Sequence, residues 1–465
     1  MAHRTQKPDQ AAQLPPPLKH VHLNAAGIDV GGESHYVAVP ADRDGQPVRE
    51  FGCFTPDLYQ LADWLKACGV DTVAMESTGV YWIPVFEVLE EHGFEVKLVS
   101  PQQLKRAPRR KTDVLDCQWL QELHTFGLLS GAFRPEDQVC VLRSYVRQRG
   151  MLVRYAGQHI QHMQKALTQM NVQLQHAVSD ITGVTGMGIV RAILAGERNP
   201  RKLATLREPG CKRDQATIAK ALKGNWRREH LFALQQAVEL YDSYQQKIAD
   251  CDQQILAQLR SFEDRSESGS GTPPPPLPEG RKPRKNEPTF DAAGEVYRIT
   301  GVDLTKINAI QGNTALKVIS EIGTDMSPWP NEKHFTSWLG LCPDNRISGG
   351  KKLRQRKVPP NANRAAEALR IAARSLHRSS SALGAFLRRM KARIGMPKAI
   401  EATARKLAVQ IYYMLKHGTD YVDRGQDYYE RAYQDRVLRN LSSNARKLGY
   451  RLVKEEPAST QPLPA

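Results

Sequence analysis

Apolar and polar residues in the first quarter of the chain follow the patterns of strands and helices. The runs AAGIDVGG, HYVAVPA and PVREFGCF, separated by glycines or polar turns, predict three consecutive strands. A helix follows, with Thr55 as its N-cap and Pro56 in its first turn. DTVAMEST, VYWIPVFEVLEEHG and EVKLVS then predict a strand, a helix and a strand, and a capping box beginning at Ser100 opens a further helix.

The predicted order of elements is therefore βββαβαβα. Three strands joined by tight turns, followed by alternating helices and strands, are typical of a ribonuclease H-like α/β domain, which we assign to residues 21–135. Residues 1–20 are polar and contain several prolines, so we expect a disordered arm there.

Two later stretches have apolar residues at alternating three- and four-residue steps. The first runs from Val139 to Leu174 and is broken only at Arg149, and the second runs from Leu231 to Leu259. They predict two long helices, in a coiled coil or a helical hairpin, within a region at residues 136–262. The apolar stripes either pack within their own domain or form an oligomer interface.

The rest of the chain divides by composition. Residues 263–289 are rich in Ser, Gly, Pro, Lys and Arg, which predicts a flexible linker. Residues 290–423 have strong helical patterns and predict a mainly helical, all-α C-terminal domain. Residues 424–465 form a polar, basic tail.

Charge indicates the class of partner. The 465 residues include 66 Lys or Arg and 49 Asp or Glu, a net charge of +17, which favours a polyanion such as nucleic acid. No run of about 18 apolar residues is present, and the N-terminus lacks the apolar segment of a signal peptide, so we expect a cytoplasmic protein with no membrane partner. The seven cysteines are scattered without zinc-site spacing, which favours free thiols.

Basic runs at 105–111, 281–285 and 351–357 are candidate contacts to a phosphate backbone. The nucleic-acid-binding residues predicted from the first and third runs are Lys105, Arg106, Arg109, Arg110, Lys111, Lys351, Lys352, Arg354, Arg356 and Lys357. Residues 191–230 form another basic segment, to which the sequence assigns no role.

Four carboxylates are the candidate catalytic residues. Asp29 ends the first predicted strand and Glu76 the fourth, and these strands are neighbours in a ribonuclease H-like sheet. Asp113 and Asp116 share one face of the following helix, since they are three residues apart. Four gathered carboxylates repel one another unless cations lie between them, so we predict two Mg²⁺ ions and phosphoryl transfer on nucleic acid.

The motifs GIDVGGESHYVAV, AMESTGVYW and KTDVLDCQWL, followed by ITGVD, ISEIG, FTSWLGLCP and RISGGKK, resemble the DEDD transposases of bacterial insertion sequences in the IS one-ten family. The resemblance spans residues 21–420. It implies a RuvC-like catalytic domain with metal ligands at Asp29, Glu76, Asp113 and Asp116. It also implies a central coiled coil and a C-terminal transposase domain.

The same resemblance implies a serine nucleophile at Ser348, in NRISGGKKLRQRK, that forms a transient link to DNA. It further implies donor and target DNA as substrates, a noncoding guide RNA that selects them, and a homo-oligomer, a dimer or a tetramer. Small neighbours and nearby cations would let the serine approach a backbone phosphate. We expect the acidic metal site, from the same subunit or another, to activate this hydroxyl.

Two other functions remain open from the residues alone. The first is a hydrolytic RuvC-like nuclease of the Holliday-junction resolvase type, which would use the four acids and water. The second is a non-catalytic nucleic-acid-binding assembly protein whose acids are structural.

Overall fold

The computed structural model describes most of the chain. It covers residues 20–77, 79–100, 112–267, 272–278, 280–281, 283–342 and 363–453, and the backbone alone at 347–348 and 351–352. The chain divides into two compact units, Met1–Arg134 and Pro135–Ala465.

The first unit is built on a mixed five-stranded sheet. Its described elements are β1 (Ala25–Val30), β2 (Ser34–Ala38), β3 (Val48–Gly52), α1 (Thr55–Ala67), β4 (Thr72–Glu76), α2 (Trp82–Glu91), β5 (Glu95–Val99) and α3 (Asp113–Thr125). The strand order is β3-β2-β1-β4-β5. Strands β1, β4 and β5 are parallel, whereas β2 and β3 continue the sheet antiparallel. The predicted ribonuclease H-like order is therefore confirmed.

The two faces of this sheet pack against different helices. Ile28, Val73 and Met75 point to one face and form a core with α1 and α2, because alternate residues of a strand point to opposite sides. The other face is covered by α3, which packs on β1, β2 and β4. A Cβ atom added to Gly27 would lie 2.4 Å from the carbonyl oxygen of Cys117. Glycine at this position therefore lets the backbone of α3 lie directly on β1.

Helix α1 begins one residue earlier than predicted. Thr55 is the first helical residue rather than the N-cap, and Phe54 occupies the cap position. The Asp57 carboxylate accepts a hydrogen bond from the Phe54 backbone N–H at 3.2 Å. The predicted threonine cap was wrong, because Thr55 is already helical and the Asp57 side chain closes the turn onto the Phe54 backbone. Most of the capping box predicted at Ser100 lies outside the described residues.

The second unit begins with a pair of long antiparallel helices. These are α4 (Asp137–Gln169) and α9 (Arg228–Arg260), and the described helices between them are α5 (Leu174–Ala177), α6 (Val184–Leu194), α7 (Pro200–Ala204) and α8 (Gln215–Ala221). Residues near the start of α4 contact residues near the end of α9, as in the 3.1 Å hydrogen bond from Gln258 to the Gln138 carbonyl. The two predicted long helices are thus present and pair as a hairpin within the chain.

Arg149, the residue that interrupts the apolar stripe of α4, is buried and has a buried partner. Its guanidinium donates two hydrogen bonds to the Asp252 carboxylate on α9. It also donates to the Asn286 carbonyl at 3.2 Å, and the Thr289 N–H donates to Asp252 at 3.2 Å. A charged pair can occupy the interface between the two helices because each guanidinium nitrogen of Arg149 and each carboxylate oxygen of Asp252 makes a hydrogen bond.

The remainder of the second unit is mainly helical. The described elements are α10 (Ala292–Thr300), a 3₁₀ turn (Leu304–Lys306), α11 (Gly312–Ile322), α12 (Glu332–Trp338), β6 (Ile347–Ser348), β7 (Lys351–Lys352), α13 (Arg364–Ser375), a 3₁₀ turn (Leu376–Arg378), α14 (Ala382–Ile394), α15 (Met396–His417) and α16 (Gly425–Lys447). None of the described helices is both long and apolar enough to cross a membrane.

Candidate active site

Asp29 and Glu76 lie at the carboxyl ends of adjacent parallel strands. The register pairs Ile28 of β1 with Met75 of β4, so the next residues along the two strands are Asp29 and Glu76. Both are half-buried. They lie two residues beyond Gly27 and Ala74 and therefore share the face that α3 covers.

Asp113 and Asp116 occupy the first turn of α3. The Thr112 hydroxyl caps this helix by accepting a hydrogen bond from the Leu115 N–H at 3.3 Å. Asp113 is exposed and Asp116 is half-buried. The positive end of the helix dipole favours carboxylates in this turn even without a metal. The helix therefore brings two more carboxylates to the covered face of the sheet.

The buried thiol of Cys117 is close to two of these acids. Burial is the main cause that raises the pKa of Cys117 to about 12, and the negative charges of Asp29 and Asp116 add to the effect. Asp29 belongs to β1 and Asp116 to α3, so the two carboxylates act on one side chain from different elements. The packing of α3 onto β1 thus concentrates negative charge at this point.

Two further polar residues belong to the same region and were missed from the sequence. Tyr36 pairs with Asp29 across β1 and β2, and with Glu50 across β2 and β3. A hydrogen bond to Glu50 raises the pKa of the Tyr36 hydroxyl, and the charge of Asp113 contributes to the same shift. Alternation in SHYVA and VREFG places Tyr36 and Glu50 on defined faces, but only the observed register puts them beside Asp29.

An open groove runs along the same face, between β3 and α3. Val48 and Glu50 line it from the strand, and Val114 and Gln118 line it from the helix. Because Val114 follows Asp113 directly, the groove passes the N-terminal turn of α3. Its lining includes Glu50, the partner of Tyr36.

The donor atoms of this region suit a hard divalent cation. Carboxylate oxygens are the ligands that Mg²⁺ prefers in proteins. Within the described part of the chain, no group of three or more His, Cys, Asp or Glu side chains is arranged to hold a metal ion. The structure thus brings Asp29, Glu76, Asp113 and Asp116 to one region with suitable chemistry and does not show a coordination shell.

The predicted serine lies in the second unit, on a two-stranded antiparallel ribbon. The backbone of Ser348 in β6 pairs with that of Lys351 in β7, and Ile347 pairs with Lys352. Residues 101–111 and 353–362 lie outside the described chain, so the structure does not place Lys105, Arg106, Arg109, Arg110, Lys111, Arg354, Arg356 or Lys357.

Comparison with known families identifies both ends of the chain. Residues 26–172 match a family model for a transposase, DEDD_Tnp_IS110. Residues 303–388 match a model described as Transposase IS116/IS110/IS902 family. The first model begins at β1 and includes all four acids, and the second includes Ser348. DEDD transposases generally use divalent metal ions. No match was found among curated proteins.

Both matches name IS110 transposases, and together they cover half of the chain. The sheet order and the placement of the acids agree with the first match. A transposase acts on DNA, which accounts for the net charge of +17. The chain belongs to the IS110 family of DEDD transposases, DNA phosphoryl-transfer enzymes that mobilise insertion sequences.

Proposed function

We propose that this transposase cuts and rejoins DNA with Asp29, Glu76, Asp113 and Asp116 as the ligands of two Mg²⁺ ions. The observation that carries the proposal is the contact of α3 with β1 at Gly27, which brings the acids of the helix to the strand ends that bear Asp29 and Glu76. When bound, such metals stabilise the charge that develops on the attacking and leaving oxygens of a phosphodiester. The carboxylates hold these cations and orient the scissile phosphate.

Ser348 is the nucleophile in this proposal. Its place opposite Lys351 in a short ribbon, together with the small residues Gly349 and Gly350 that follow it in the sequence, supports a hydroxyl that a phosphate can approach closely. The serine oxygen forms a bond to phosphorus and gives its proton to water, while the bond from phosphorus to the leaving sugar oxygen breaks and that oxygen takes up a proton. A DNA hydroxyl then attacks the phosphoserine, which restores the serine and joins the strands.

We propose six regions in chain order. They are a disordered arm (1–20), the DEDD catalytic domain (21–135), a coiled-coil region for assembly (136–262), a flexible linker (263–289), the transposase domain (290–423) and a basic tail (424–465). Donor and target DNA are the substrates, and a noncoding RNA selects them. We assign the backbone contacts to the basic runs at 105–111 and 351–357. Assembly as a dimer or a tetramer follows from the family resemblance.

A trapping experiment tests the serine. Full-length protein is incubated with Mg²⁺, the proposed noncoding RNA and DNA that carries the ends of its element, then denatured and assayed for protein covalently bound to DNA. We expect the adduct with the native chain and none with Ser348→Ala. Ser380→Ala, which removes an exposed hydroxyl elsewhere in the same unit, is the matched control. Normal recombination by Ser348→Ala would remove the serine from the mechanism, and cleavage without an adduct would favour a hydrolytic nuclease.

A second experiment tests the acids. Asp113→Asn should abolish cleavage and leave DNA binding largely intact, because the substitution removes a metal ligand and one negative charge. Glu122→Gln provides the control, since Glu122 is an exposed acid on the same helix. Unchanged DNA processing by Asp113→Asn would support a non-catalytic assembly protein instead.

A further inference from the structure

Residues 173–228 carry a large share of the positive charge of the chain and lie outside both segments that match the family models. They contain eleven Lys or Arg and four Asp or Glu, a net charge of +7 within the +17 of the whole protein. They connect α4 to α9 at one end of the helical hairpin. The acidic site and Ser348 use none of these residues.

A cleft is built into this segment at its junctions with the two long helices. Asn171, which follows α4, lines it together with Pro200 and the stretch from Lys223 to Trp226, which precedes α9. We name it the Trp226 cleft. A Cβ atom at Gly224 would lie 2.5 Å from the Met170 carbonyl oxygen, and the Asn225 N–H donates to that oxygen at 2.9 Å. The floor of the cleft is therefore fixed to the end of α4.

A strained residue lies at the same place. Trp226 has a positive φ angle of 47°, in a region that L-residues other than Asn, Asp and Gly rarely adopt, and Asn171 has a φ of 54°, which asparagine tolerates. Among the described residues, only Asn286 and Ala309 are other non-glycine residues with positive φ. Strained residues persist where the surrounding structure holds them, and they cluster at binding sites.

Arg198 is held at the cleft by several contacts. Its guanidinium lies 5.0 Å from the centre of the Trp226 ring, and it donates hydrogen bonds to the carbonyls of Ile193 and Glu197. A cation stacked on an aromatic ring and hydrogen-bonded to backbone carbonyls is fixed in position. The cleft therefore has a positive charge of defined position at one wall.

Several exposed cations of the segment have no carboxylate to neutralise them. Within the described chain, no carboxylate oxygen lies within 4 Å of the side-chain nitrogens of Arg201, Lys212, Arg213, Lys220, Lys223 or Arg228. Arg201 follows the cleft residue Pro200, and Lys223 lines the cleft itself. These two residues therefore add positive charge at the cleft and directly beside it in the chain.

The chemistry of the cleft favours a phosphate backbone over stacked bases. Trp226 is the only Phe, Tyr or Trp in residues 173–228, and Arg198 covers its ring. Proteins that bind single strands present open aromatic faces to the bases, whereas duplex DNA presents closely spaced phosphates that Lys and Arg neutralise. We propose that the Trp226 cleft and its basic rim bind the phosphodiester backbone of duplex DNA, as an anchor separate from the catalytic acids.

A salt titration of DNA binding tests this assignment. Fluorescent duplex DNA is titrated with full-length protein in EDTA, which prevents cleavage. The titration is repeated at KCl concentrations from about 50 to about 300 mM. Each phosphate contact contributes about 0.9 to the slope of log Kd against log salt. The double variant Arg201→Gln, Lys223→Gln should lower that slope by roughly 1 to 2. It should also bind several-fold more weakly at low salt.

The control is Lys247→Gln, Arg260→Gln, which removes the same charge from exposed positions of α9. Circular dichroism melting verifies that both double variants fold. An equal loss of slope in the two double variants would show a general effect of charge, and the cleft would then not be a specific site. An unchanged slope in both variants would also overturn the cleft as a site. A loss confined to binding of structured RNA would overturn the assignment to DNA.

This inference depends on DNA binding by the family and not on the serine or the guide RNA. The outcome is separate from the proposed mechanism because binding in EDTA needs neither metal nor Ser348. A cleft variant that binds weakly and still forms the covalent adduct at high DNA concentration would support both proposals. Loss of the adduct in Ser348→Ala leaves the salt slope unchanged.

Discussion

Two groups of charged residues show opposite uses of a carboxylate in this protein. In the helical hairpin, Asp252 is 1% exposed and Arg149 is 4% exposed, and each is matched by the other and by backbone groups. At the end of the sheet, half-buried carboxylates lie on one face, and the charges of two of them act on the same thiol. The first arrangement pairs opposite charges within the chain, whereas the second places like charges near one another.

This difference in partners separates the two groups of charge. A buried acid that faces a buried base is satisfied by the fold, and removing one partner exposes the other to an apolar environment. Carboxylates that lie near one another repel, and this repulsion opposes the fold. The two groups should therefore respond oppositely to neutral substitution.

The largest effect is expected for Asp29→Asn. Loss of a metal ligand removes several kcal/mol of transition-state stabilisation, so DNA cleavage in Mg²⁺ should fall by at least about 1000-fold. The melting temperature should stay the same or rise, because one of the repelling charges is gone. Asp42→Asn, at an exposed position, should change neither quantity. Lower stability with normal cleavage would make Asp29 a structural residue.

Asp252→Asn should show the reverse behaviour. It leaves the buried Arg149 guanidinium without its counter-charge, at a cost of about 3–5 kcal/mol in the free energy of unfolding. Urea denaturation measures the loss, and hydrogen exchange locates it in α4 and α9. Asp250→Asn, at the exposed neighbouring acid, should stay within about 0.5 kcal/mol. The double variant Arg149→Met, Asp252→Leu should recover most of the stability, since no unpaired charge remains.

His124 on α3 provides a third case, a buried titratable group that the fold holds neutral. It is 0% exposed and lies 2.9 Å from the Thr72 hydroxyl, and burial lowers the pKa of His124 to about 4. The unfolded state therefore binds more protons between about pH 4 and pH 6.5. The contribution of neutral His124 to the free energy of unfolding is fully present above pH 6.5. It is lost as the pH falls toward 4, a change of roughly 3 kcal/mol.

Chemical denaturation of the native chain and of His124→Gln at several pH values measures this contribution. In His124→Gln, the free energy of unfolding of the first unit should depend less steeply on pH than in the native chain. His176→Gln, which changes an exposed histidine, should follow the native curve. Parallel curves for the native chain and His124→Gln would contradict the assignment.

The smallest effect is expected at the contact between α3 and β1. Gly27→Ala places a methyl group 2.4 Å from the Cys117 carbonyl oxygen, which should cost about 1–3 kcal/mol and displace the helix that bears two of the acids. The rate of DNA cleavage in Mg²⁺ should fall as a result of this displacement. Gly45→Ala is the control, because an added Cβ there meets no atom within 4 Å. Full cleavage by Gly27→Ala would show that the site does not depend on this contact.

Much of the first unit could be read from the sequence. Alternation and turn residues predicted the five strands, and their order with the intervening helices led to the correct sheet, which places Asp29 beside Glu76. The start of α1 was misplaced by one residue because the Asp57 side chain, rather than Thr55, closes its first turn, through a hydrogen bond from the Phe54 N–H. Tyr36 and Glu50 were missed because their position beside Asp29 depends on pairing register, which local pattern does not define.

The second unit shows a similar division between local and distant information. Periodicity predicted both long helices and identified Arg149 as the break in the apolar stripe. It did not reveal that Asp252, 103 residues away, accepts the charge. Nor did it reveal that residues 171, 200 and 223–226 form one cleft.

Local sequence was enough to predict the elements and the chemical groups they carry: five strands, the long helices, four carboxylates at element ends and an excess of positive charge. These follow from periodicities of two and 3.6 residues and from local composition, which neighbouring residues suffice to define. The tertiary structure was needed to show which charged residues lie near one another and which acid faces which base. That outcome depends on contacts between distant segments, at Gly27 with Cys117 and at Arg149 with Asp252.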